Sequence, residues 1–357
     1  MIKNLFKFVQ LAQKIVPKKT ALPILSCVCV EDGFIRATDL ETTIRMPIDD
    51  KRRYALPFGV LKSILKSKPK KLDIDILPNR QAKLSYDSKH VVVKTIDPDD
   101  FPLMPKESFT SLAAWDKKTI KALGCMIPFA SKEELRPALS GIFVDVNEDI
   151  TFAATDGHLL RETSIIIEKS DERPKFKGIV PALPIDIIAR CAGSSTKVAY
   201  SKSHIKFTLS QEVEIYIRLI DEKYPPYEEF VNGKKDNSVE FSKCDMTAAI
   251  ASAKEFCDKS TYSAELVASN GSITLSTKDP ERELRFDTLL PGEKRKGEGE
   301  RTGFNLKYLE KVIRSINGDR IKWEYGKPIE ASYFRGMGQE DEGITNLLMP
   351  IRLEDQS

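Results

Sequence analysis

The sequence repeats itself, and an internal repeat constrains a fold more strongly than any single motif does. Residues 34–45 read FIRATDLETTIR and residues 150–163 read ITFAATDGHLLRET, so Ala-Thr-Asp twice follows a stretch with the character of a β-strand. Two further pairs recur in the same order: LPILSCVCV at 22–30 with RPALSGIFV at 136–144, and DDFPLMP at 99–105 with DEKYPPY at 221–227. The shared order indicates a duplicated domain rather than a duplicated catalytic motif.

Amphipathic helices recur on a shorter period. Apolar residues three and four apart predict helices at 4–16, 57–68, 118–129, 184–192, 244–257 and 305–316. Strand-like stretches lie between them, among them HVVVKTI at 90–96, VEIYIRLI at 213–220 and ITLSTKD at 273–279. The unit of one helix plus several strands therefore occurs six times. Taken in pairs, these units predict three similar α+β domains at 1–115, 116–240 and 241–357. The third domain lacks the Ala-Thr-Asp signature.

Length and composition fit an ordinary globular protein. The 357 residues suffice for two or three domains, and a net charge of +3 implies no partner by itself. The six cysteines form no CxxC pair, and Cys27 and Cys29 are spaced for one face of a strand. We therefore expect reduced thiols in a cytoplasmic protein and no metal site. Lys7, Gln10 and Lys14 interrupt the apolar start, which favours a helix over a signal peptide, and no segment predicts a membrane partner.

The distribution of charge is more informative than its total. In windows around the six predicted helices (3–16, 57–71, 117–130, 181–195, 243–257 and 304–316) there are seventeen bases and four acids, a surplus of thirteen bases. The rest of the chain has ten more acids than bases. Helix propensity alone does not explain this, because Glu favours helices as Lys does. The pattern predicts a helical surface that faces a polyanion, with Lys contacting phosphates and not reading bases. The residues concerned include Lys7, Lys14, Lys62, Lys66, Lys121, Arg190, Lys254 and Lys311.

Catalytic constellations are hard to find in this sequence. Asp39 and Asp156 each follow Thr at a strand end, where Asp commonly accepts hydrogen bonds from turn amides. His158 is isolated, which favours a surface or groove role over that of a base or metal ligand. GEKRKGEGERTG at 292–303 lacks the spacing of a phosphate loop and predicts a flexible charged connection, and FRGMGQEDEG at 334–343 predicts a loop between the last two strands. We expect no catalytic residues and no cofactor.

Together these features resemble the bacterial DNA polymerase III β subunit, or β sliding clamp, family. The most specific motifs are LPILS, ATDLE, DDFP, TDGH, the FN-x-x-YL of Phe304 to Leu309 and the terminal MPIRL. Their order covers essentially the whole chain. The resemblance implies three clamp domains, each with two helices and two antiparallel sheets, and a head-to-tail homodimer that forms a six-domain ring around double-stranded DNA without sequence preference. It also implies an interface between Val91 and Val93 of one chain and Phe256 of the other, and DNA contacts at Lys19 and Lys132.

The resemblance further implies a groove that binds short leucine- and phenylalanine-bearing peptides of the replicative polymerase, the clamp loader and repair proteins. The matching positions are Leu139, Thr155, Gly157, His158, Leu159, Leu160, Pro225, Phe230, Asn305, Tyr308, Leu347, Met349, Pro350, Ile351 and Arg352. Two positions depart from the family pattern, since Leu159 and Glu229 stand where basic residues are common. Both changes make the groove less positive, which predicts a shifted preference among acidic and neutral peptides.

The sequence therefore predicts a DNA polymerase processivity factor without enzymatic activity. One alternative is a repeat-built scaffold that binds peptides and never encircles DNA, although the segregation of lysine argues against it. Another is an enzyme acting on nucleic acid, which needs a carboxylate cluster or nucleophile that the sequence does not supply.

Overall fold

The computed structural model describes residues 2–133, 135–167, 174–269, 271–297 and 299–353. It has the predicted α+β class, and all six predicted helices form within two residues of their predicted starts. The helices of the described residues are α1 (Ile2–Ala12), α2 (Phe58–Lys66), α3 (Lys117–Gly124), α4 (Ala182–Cys191), α5 (Glu228–Val231), α6 (Lys243–Phe256) and α7 (Leu306–Ser315). Only the single-turn helix α5 was not expected.

Two helix ends have clear local causes. The predicted helix at 118–129 ends early, because α3 stops at Gly124 and a separate 3-10 turn at Ile127–Phe129 begins next to Pro128. A Cβ atom on Gly124 would lie 2.8 Å from the Cβ of Ala189 in α4, so glycine allows these two helices to pack closely. Helix α7 begins cleanly because the Asn305 side chain caps it.

The chain divides into two compact units. The first comprises Met1–Gly124, Glu172–Phe176 and Val180–Asp221, and the second comprises Cys125–Asp171, Lys177–Ile179 and Glu222–Ser357. The first unit contains β1 (Cys27–Glu31), β2 (Phe34–Thr38), β3 (Thr42–Pro47), β4 (Tyr54–Pro57), β5 (Leu72–Leu77), β6 (Gln81–Tyr86), β7 (Lys89–Lys94), β8 (Thr110–Asp116), β13 (Ser195–Tyr200), β14 (His204–Thr208) and β15 (Glu214–Arg218). The residues of β12 (Phe176–Pro181) are divided between the units.

The first unit joins strands of two sequence repeats in one antiparallel sheet. Its order is β4-β1-β2-β3-β15-β14-β13-β8, with a separate sheet β5-β6-β7. Strand β3 belongs to the first repeat and pairs with β15 of the second, from Arg45 opposite Glu214 to Thr42 opposite Ile217. This continuous sheet explains why the compact unit extends beyond the repeat boundary predicted at residue 115.

The second unit repeats this plan. It contains β9 (Gly141–Val146), β10 (Ile150–Thr155), β11 (Leu159–Ile165), β16 (Asn237–Ser242), β17 (Ser263–Ser269), β18 (Ser272–Asp279), β19 (Leu284–Pro291), β20 (Glu293–Lys296), β21 (Arg301–Asn305), β22 (Arg320–Tyr325), β23 (Ser332–Gly336) and β24 (Ile344–Leu348). Strands β9-β10-β11-β24-β23-β22-β16-β20 are neighbours in that order, and β19-β18-β17-β21 form another sheet. The pairing of β11 with β24 corresponds to that of β3 with β15.

The sequence repeat is reproduced in local geometry. Pro23–Ser26 and Pro137–Ser140 both form 3-10 turns before a strand. In each turn the serine hydroxyl donates to the proline carbonyl, at 2.6 Å from Ser26 and 2.7 Å from Ser140. The shared Pro-x-Leu-Ser letters therefore encode a turn that leads into β1 and β9.

Two predicted connections differ from the structure. Residues 293–296 of the predicted charged connection form β20, which pairs with β16, and residues 301–303 belong to β21, so that prediction was wrong at both places. The predicted loop at 334–343 begins later than expected, because Phe334–Gly336 still belong to β23. Its remaining residues do connect the last two strands. The period-two apolar pattern of a strand is absent from these segments, because residues 293–296 are all charged and Phe334 is followed by Arg335 and Gly336.

Candidate functional site

The second Thr-Asp pair builds the turn between β10 and β11. The Asp156 carboxylate accepts hydrogen bonds from the backbone N–H groups of His158 (2.9 Å) and Leu159 (3.1 Å). The Thr155 hydroxyl accepts one from the Gly157 N–H (3.1 Å) and donates one to the Leu159 carbonyl (2.7 Å). The predicted turn role of Asp156 is confirmed, and the pair fixes the backbone on which Gly157 and His158 are presented.

The first Thr-Asp pair makes the same turn. Asp39 accepts hydrogen bonds from the N–H groups of Glu41 (3.0 Å) and Thr42 (2.6 Å). The residue after the aspartate has a positive φ in both copies, +92° at Gly157 and +82° at Leu40. Glycine adopts this conformation freely and leucine does so only with strain. Both repeats therefore share the backbone conformation of this turn, but only the second repeat has glycine, which adopts it without strain.

His158 stacks on Tyr308 at the start of α7. Their ring centroids are 5.3 Å apart with an interplanar angle of 22°. Asn305 sets the position of Tyr308, because its side chain accepts hydrogen bonds from the N–H groups of Lys307 (2.9 Å) and Tyr308 (3.4 Å) and donates to the Thr261 carbonyl (2.7 Å). Burial raises the pKa of Tyr308. The structure therefore brings three predicted groove residues together from distant parts of the chain.

The segment after β24 connects this turn to β21. The Met349 N–H donates to the His158 carbonyl at 2.8 Å, and the Ile351 N–H donates to the Gly303 carbonyl at 2.9 Å. Pro350 lies between Met349 and Ile351. Because proline has no N–H group, this position leaves no unpaired backbone donor at the exposed edge. A Cβ atom on Gly303 would lie 2.7 Å from the Ile351 carbonyl oxygen, so only glycine allows this approach without displacement.

A loop on the outer face of the sheet presents Phe230. The ring of Tyr224 stacks on Phe143 with centroids 5.2 Å apart, and its hydroxyl donates to the Ala153 carbonyl at 3.4 Å. Further along the loop, the Tyr333 hydroxyl donates to the Phe230 carbonyl. Burial raises the pKa of Tyr224. These contacts fix the loop while the Phe230 side chain stays 54% exposed.

The predicted groove residues fall into three groups by exposure. The buried group consists of Leu139, Leu159, Leu160 and Leu347. The exposed group consists of Gly157, His158, Pro225, Phe230, Met349 and Arg352, and the remainder, Thr155, Asn305, Tyr308, Pro350 and Ile351, are half-buried. Leucines therefore form the base of this region, and a histidine, a phenylalanine and a methionine present accessible apolar or aromatic surface at its rim.

Three supporting residues were missed by the sequence reasoning. Tyr333 and Gly303 hold the loop and the terminal segment described above. Arg161 is 1% exposed and donates to the Asn346 side chain (2.7 Å) and the Ser315 hydroxyl (2.9 Å), which ties the end of α7 to β11 and β24. No local pattern marks these residues, because each acts on a residue far away in sequence.

The two departures from the family pattern occupy different environments. Leu159 is 1% exposed and lies opposite Leu348, so its side chain belongs to the packed interior. Glu229 is exposed beside Glu228 and Phe230 in α5. Only Glu229 therefore adds charge directly to the accessible rim.

Seven residues predicted to face DNA lie in the first unit, namely Lys7, Lys14, Lys19, Lys62, Lys66, Lys121 and Arg190. Lys62 and Lys66 are exposed on α2, whose other face buries Leu61, Ile64 and Leu65. Within the described parts of the chain, no acid forms an ion pair with Lys62, Lys66 or Lys121. These lysines are free to contact an external anion.

Other cations that were predicted to face DNA form ion pairs with acids of the same chain. Asp186 binds Lys14 at 2.9 Å and Arg190 at 2.7 Å. In the second unit, Glu310 binds Lys254 at 2.6 Å and Arg314 at 2.9 Å. Hydrogen bonds from Arg190 and Lys14 lower the pKa of Asp186. Of the remaining candidates in that unit, Lys132 is exposed and Lys311 lies 5.1 Å from the ring centroid of Tyr308.

The predicted interface residues lie at or beside sheet edges. Val91 and Val93 are in β7, which is the last strand of its sheet and pairs only with β6 among the described strands. Phe256 ends α6, is 41% exposed and stacks on Phe286 of β19 with centroids 5.4 Å apart. Strand β19 is likewise the last strand of its sheet. Each unit therefore presents an unpaired strand edge with apolar side chains.

Several other features bear on the predicted chemistry. In the residues that the structure describes, no group of three His, Cys, Asp or Glu side chains is placed to hold a metal ion. Cys27 and Cys29 are buried on β1, and burial raises the pKa of both thiols. No helix in the described ranges is long and apolar enough to cross a membrane.

Comparison with known proteins gives consistent matches. The family described as DNA polymerase III beta subunit, central domain, matches residues 116–226. The beta sliding clamp of Staphylococcus epidermidis is 22% identical in an alignment 363 positions long, which covers 95% of this chain and 94% of that protein. The structure of the DNA polymerase III subunit beta from Pseudomonas aeruginosa matches with a TM-score of 0.88 and 23% identity, covering 99% of this chain and 98% of the other. The structure of the beta subunit from DNA polymerase of Streptococcus pyogenes matches with a TM-score of 0.89 and 19% identity, and it too covers 99% of this chain and 98% of the other.

Proposed function

We propose that this chain is a member of the family of DNA polymerase III beta subunits, the beta sliding clamps, and that it acts as a DNA polymerase processivity factor. In this role two copies close head to tail into a ring of six domains around double-stranded DNA. The three domains of each copy correspond to the repeats at 1–115, 116–240 and 241–357. The ring acts in the cytoplasm, has no catalytic residues or cofactor, and tethers other proteins to DNA.

The observation that carries this proposal is the segregation of bases onto the helices. Seventeen bases against four acids lie around the helices, and the rest of the chain is acidic. Lys62, Lys66 and Lys121 are exposed and have no acidic partner in the described residues. Lysines of this kind contact phosphates without reading bases, which suits a protein that slides. The alternative, a peptide-binding scaffold that never encircles DNA, does not explain this distribution of charge.

Closure into a ring also accounts for the open strand edges. An unpaired edge with apolar side chains tends to associate with another strand, and a closed dimer removes such edges. In the proposed dimer β7 of one copy, with Val91 and Val93, meets the Phe256 and β19 region of the next. Head-to-tail contact uses two different surfaces of each copy, so two copies close the ring with two equal interfaces.

The groove supplies the tethering activity. Its rim contains Phe230, His158 and Met349, and its base contains buried leucines. An extended peptide with leucine and phenylalanine fits such a surface, since apolar side chains give affinity and Met adapts to varied partners. We propose that the replicative polymerase, the clamp loader and repair proteins bind here through short linear peptides.

Small-angle X-ray scattering over a concentration series tests the ring. We expect a mass near twice the 40.2 kDa of one chain and a distance distribution with a central hole. The variant Val93→Glu should shift the protein to monomer, because it buries a charge at the proposed interface. The control Ile166→Glu changes an apolar side chain that is 85% exposed and should leave the dimer intact. A compact monomer of the unmodified chain at every concentration would overturn the ring.

A further inference from the structure

A charged pocket of about 410 Å³ lies against the last of the predicted groove residues. The outer faces of β17, β18, β19 and β21 form its base, and the terminal segment Ile351–Leu353 forms one wall. It lies wholly within the second unit. Its charged lining residues are Asp258, Glu265, Lys278, Arg285, Arg301 and Arg352.

In the described residues, only one of the two acids of this pocket forms an ion pair. Asp258 accepts hydrogen bonds from the hydroxyls of Ser260 (2.8 Å) and Thr261 (3.0 Å), and Glu265 pairs with Arg301 at 2.6 Å. Two bases, Lys278 and Arg352, are exposed and have no ion-pair partner in the described residues. Arg285 pairs with Asp287 at 2.8 Å, so Lys278 and Arg352 together exceed the unpaired carboxylate of Asp258 by one positive charge. This surplus lies beside the apolar side chains of Ile351 and Leu353.

The other end of the groove has three acids, Glu162, Glu228 and Glu229, against one exposed lysine, Lys234, that forms no ion pair within the described residues. Glu228 and Glu229 are exposed next to Phe230, and Glu162 lies on the sheet beneath the same loop. The Phe230 carbonyl is bound by Tyr333, which lies opposite Leu347. Three residues separate Leu347 from Ile351, so the two lie at most about 13 Å apart along an extended chain. A peptide of a few residues can therefore contact both ends.

We propose that the peptide bound in this groove carries a carboxylate beside its apolar residues, and that Lys278 and Arg352 bind this carboxylate in the pocket. The acidic rim at Phe230 and the basic pocket at Ile351 then fix the direction of the peptide by charge. This inference rests on the proposed peptide-binding function and adds the chemistry of the partner to it.

Synthetic peptides can test the proposal by fluorescence anisotropy with the full-length protein. The core is a blocked peptide whose only large apolar residues are leucine and phenylalanine, extended by two Glu residues at one end, by two Glu residues at the other, or by two Gln residues. We expect one Glu-extended peptide to bind about threefold to fivefold more tightly than the Gln-extended peptide at low ionic strength, with the gain reduced at high salt.

Substitutions at Lys278 test whether the gain in affinity of the Glu-extended peptide arises in the pocket. Lys278→Gln should remove most of the gain, Lys278→Glu should convert it into a loss, and Lys278→Arg should retain it. The Gln-extended peptide, which has no added carboxylate, is measured with each variant and serves as the reference from which the gain is calculated. The control Lys296→Gln changes an exposed lysine outside the pocket lining and should keep the gain.

The outcomes separate the two proposals. If the Gln-extended peptide binds but neither Glu extension improves its affinity, or the gain persists in Lys278→Glu, the carboxylate pocket is wrong and the groove stands. If the Gln-extended and Glu-extended peptides all fail to bind, the groove itself is wrong and this inference falls with it.

Discussion

The backbone N–H of Met349 donates a 2.8 Å hydrogen bond to the carbonyl oxygen of His158. The first unit contains the corresponding bond, from the Arg218 N–H to the Glu41 carbonyl, also at 2.8 Å. The two bonds join the same turn of the repeat to the end of the neighbouring strand. The frame of the groove is therefore a backbone feature of the repeat, and His158 in place of Glu41 is among the changes that make one copy a candidate binding site.

The strained turn of the first repeat gives a prediction about stability. Leu40 has a φ of +82°, and the left-handed region is unfavourable for a residue with a Cβ atom. Leu40→Gly should therefore raise the free energy of unfolding by up to about 1 kcal/mol, whereas Gly157→Ala should lower it by about the same amount. Denaturant unfolding measures both.

Leu40→Ala is the matched control for this prediction. It removes most of the side chain but keeps the Cβ atom and the strain, so it should not stabilise the protein. Equal effects of Leu40→Gly and Leu40→Ala would show that the side chain, and not the backbone conformation, determines the result.

Gly303 should control the groove through the terminal segment. A Cβ atom at Gly303 would lie 2.7 Å from both the Ile351 carbonyl oxygen and the Leu353 Cγ atom. Gly303→Ala should displace this segment, lower the unfolding free energy by about 1 to 3 kcal/mol, and weaken peptide binding. Isothermal calorimetry with the neutral peptide, together with denaturant unfolding, measures the two effects.

Gly59 provides the comparison for Gly303. It lies in α2, and a Cβ atom added there would have no neighbouring atom within 4 Å. Gly59→Ala should stabilise the helix by about 0.5 to 1 kcal/mol and leave peptide affinity unchanged. Unaltered peptide affinity in Gly303→Ala would contradict the role given to the terminal segment.

Sequence reasoning recovered the parts of this structure that depend on local pattern. The Asp156 turn was predictable because an aspartate after a strand end accepts hydrogen bonds from amides two and three residues ahead. Gly303 was not, because its requirement arises from Ile351 on another part of the chain. For the same reason, the pairing of Asp186 with Lys14 was missed, so the list of DNA-facing bases included residues that are held in ion pairs.

Charge reversal on the helices should abolish DNA association. Lys62→Glu, Lys66→Glu and Lys121→Glu combined replace three exposed bases without partners in the described chain. We expect loading onto circular DNA and polymerase processivity to be lost, and the salt dependence of DNA binding to fall by about one unit of log–log slope for each phosphate contact removed.

The control for this variant makes the same change of net charge elsewhere. Lys51, Lys106 and Lys202 are exposed and lie outside the helices of the first unit. Their combined replacement by Glu should leave loading nearly unchanged. Equal losses in both triple variants would mean that net charge, and not a helical surface, governs DNA association.

Asp186 should restrain DNA binding by holding two cations. Its carboxylate pairs with Lys14 at 2.9 Å and Arg190 at 2.7 Å. Asp186→Asn releases both bases and removes one negative charge, so DNA affinity should rise and become more sensitive to salt. The stability change should be small, about 0 to 1 kcal/mol, because the pairs are partly exposed. Electrophoretic mobility shifts at several salt concentrations measure the affinity.

The pH dependence of Asp186→Asn provides an internal check. Hydrogen bonds from Arg190 and Lys14 lower the pKa of Asp186 below the ordinary value of 3.8. A carboxyl with a lowered pKa contributes stability above the unfolded-state value and loses it as the pH falls through the folded-state value. The difference in unfolding free energy between the unmodified chain and Asp186→Asn should therefore be constant from about pH 8 to pH 5 and shrink below about pH 4. A difference that persists at lower pH would show that the substitution acts through packing and not through the lost ion pairs.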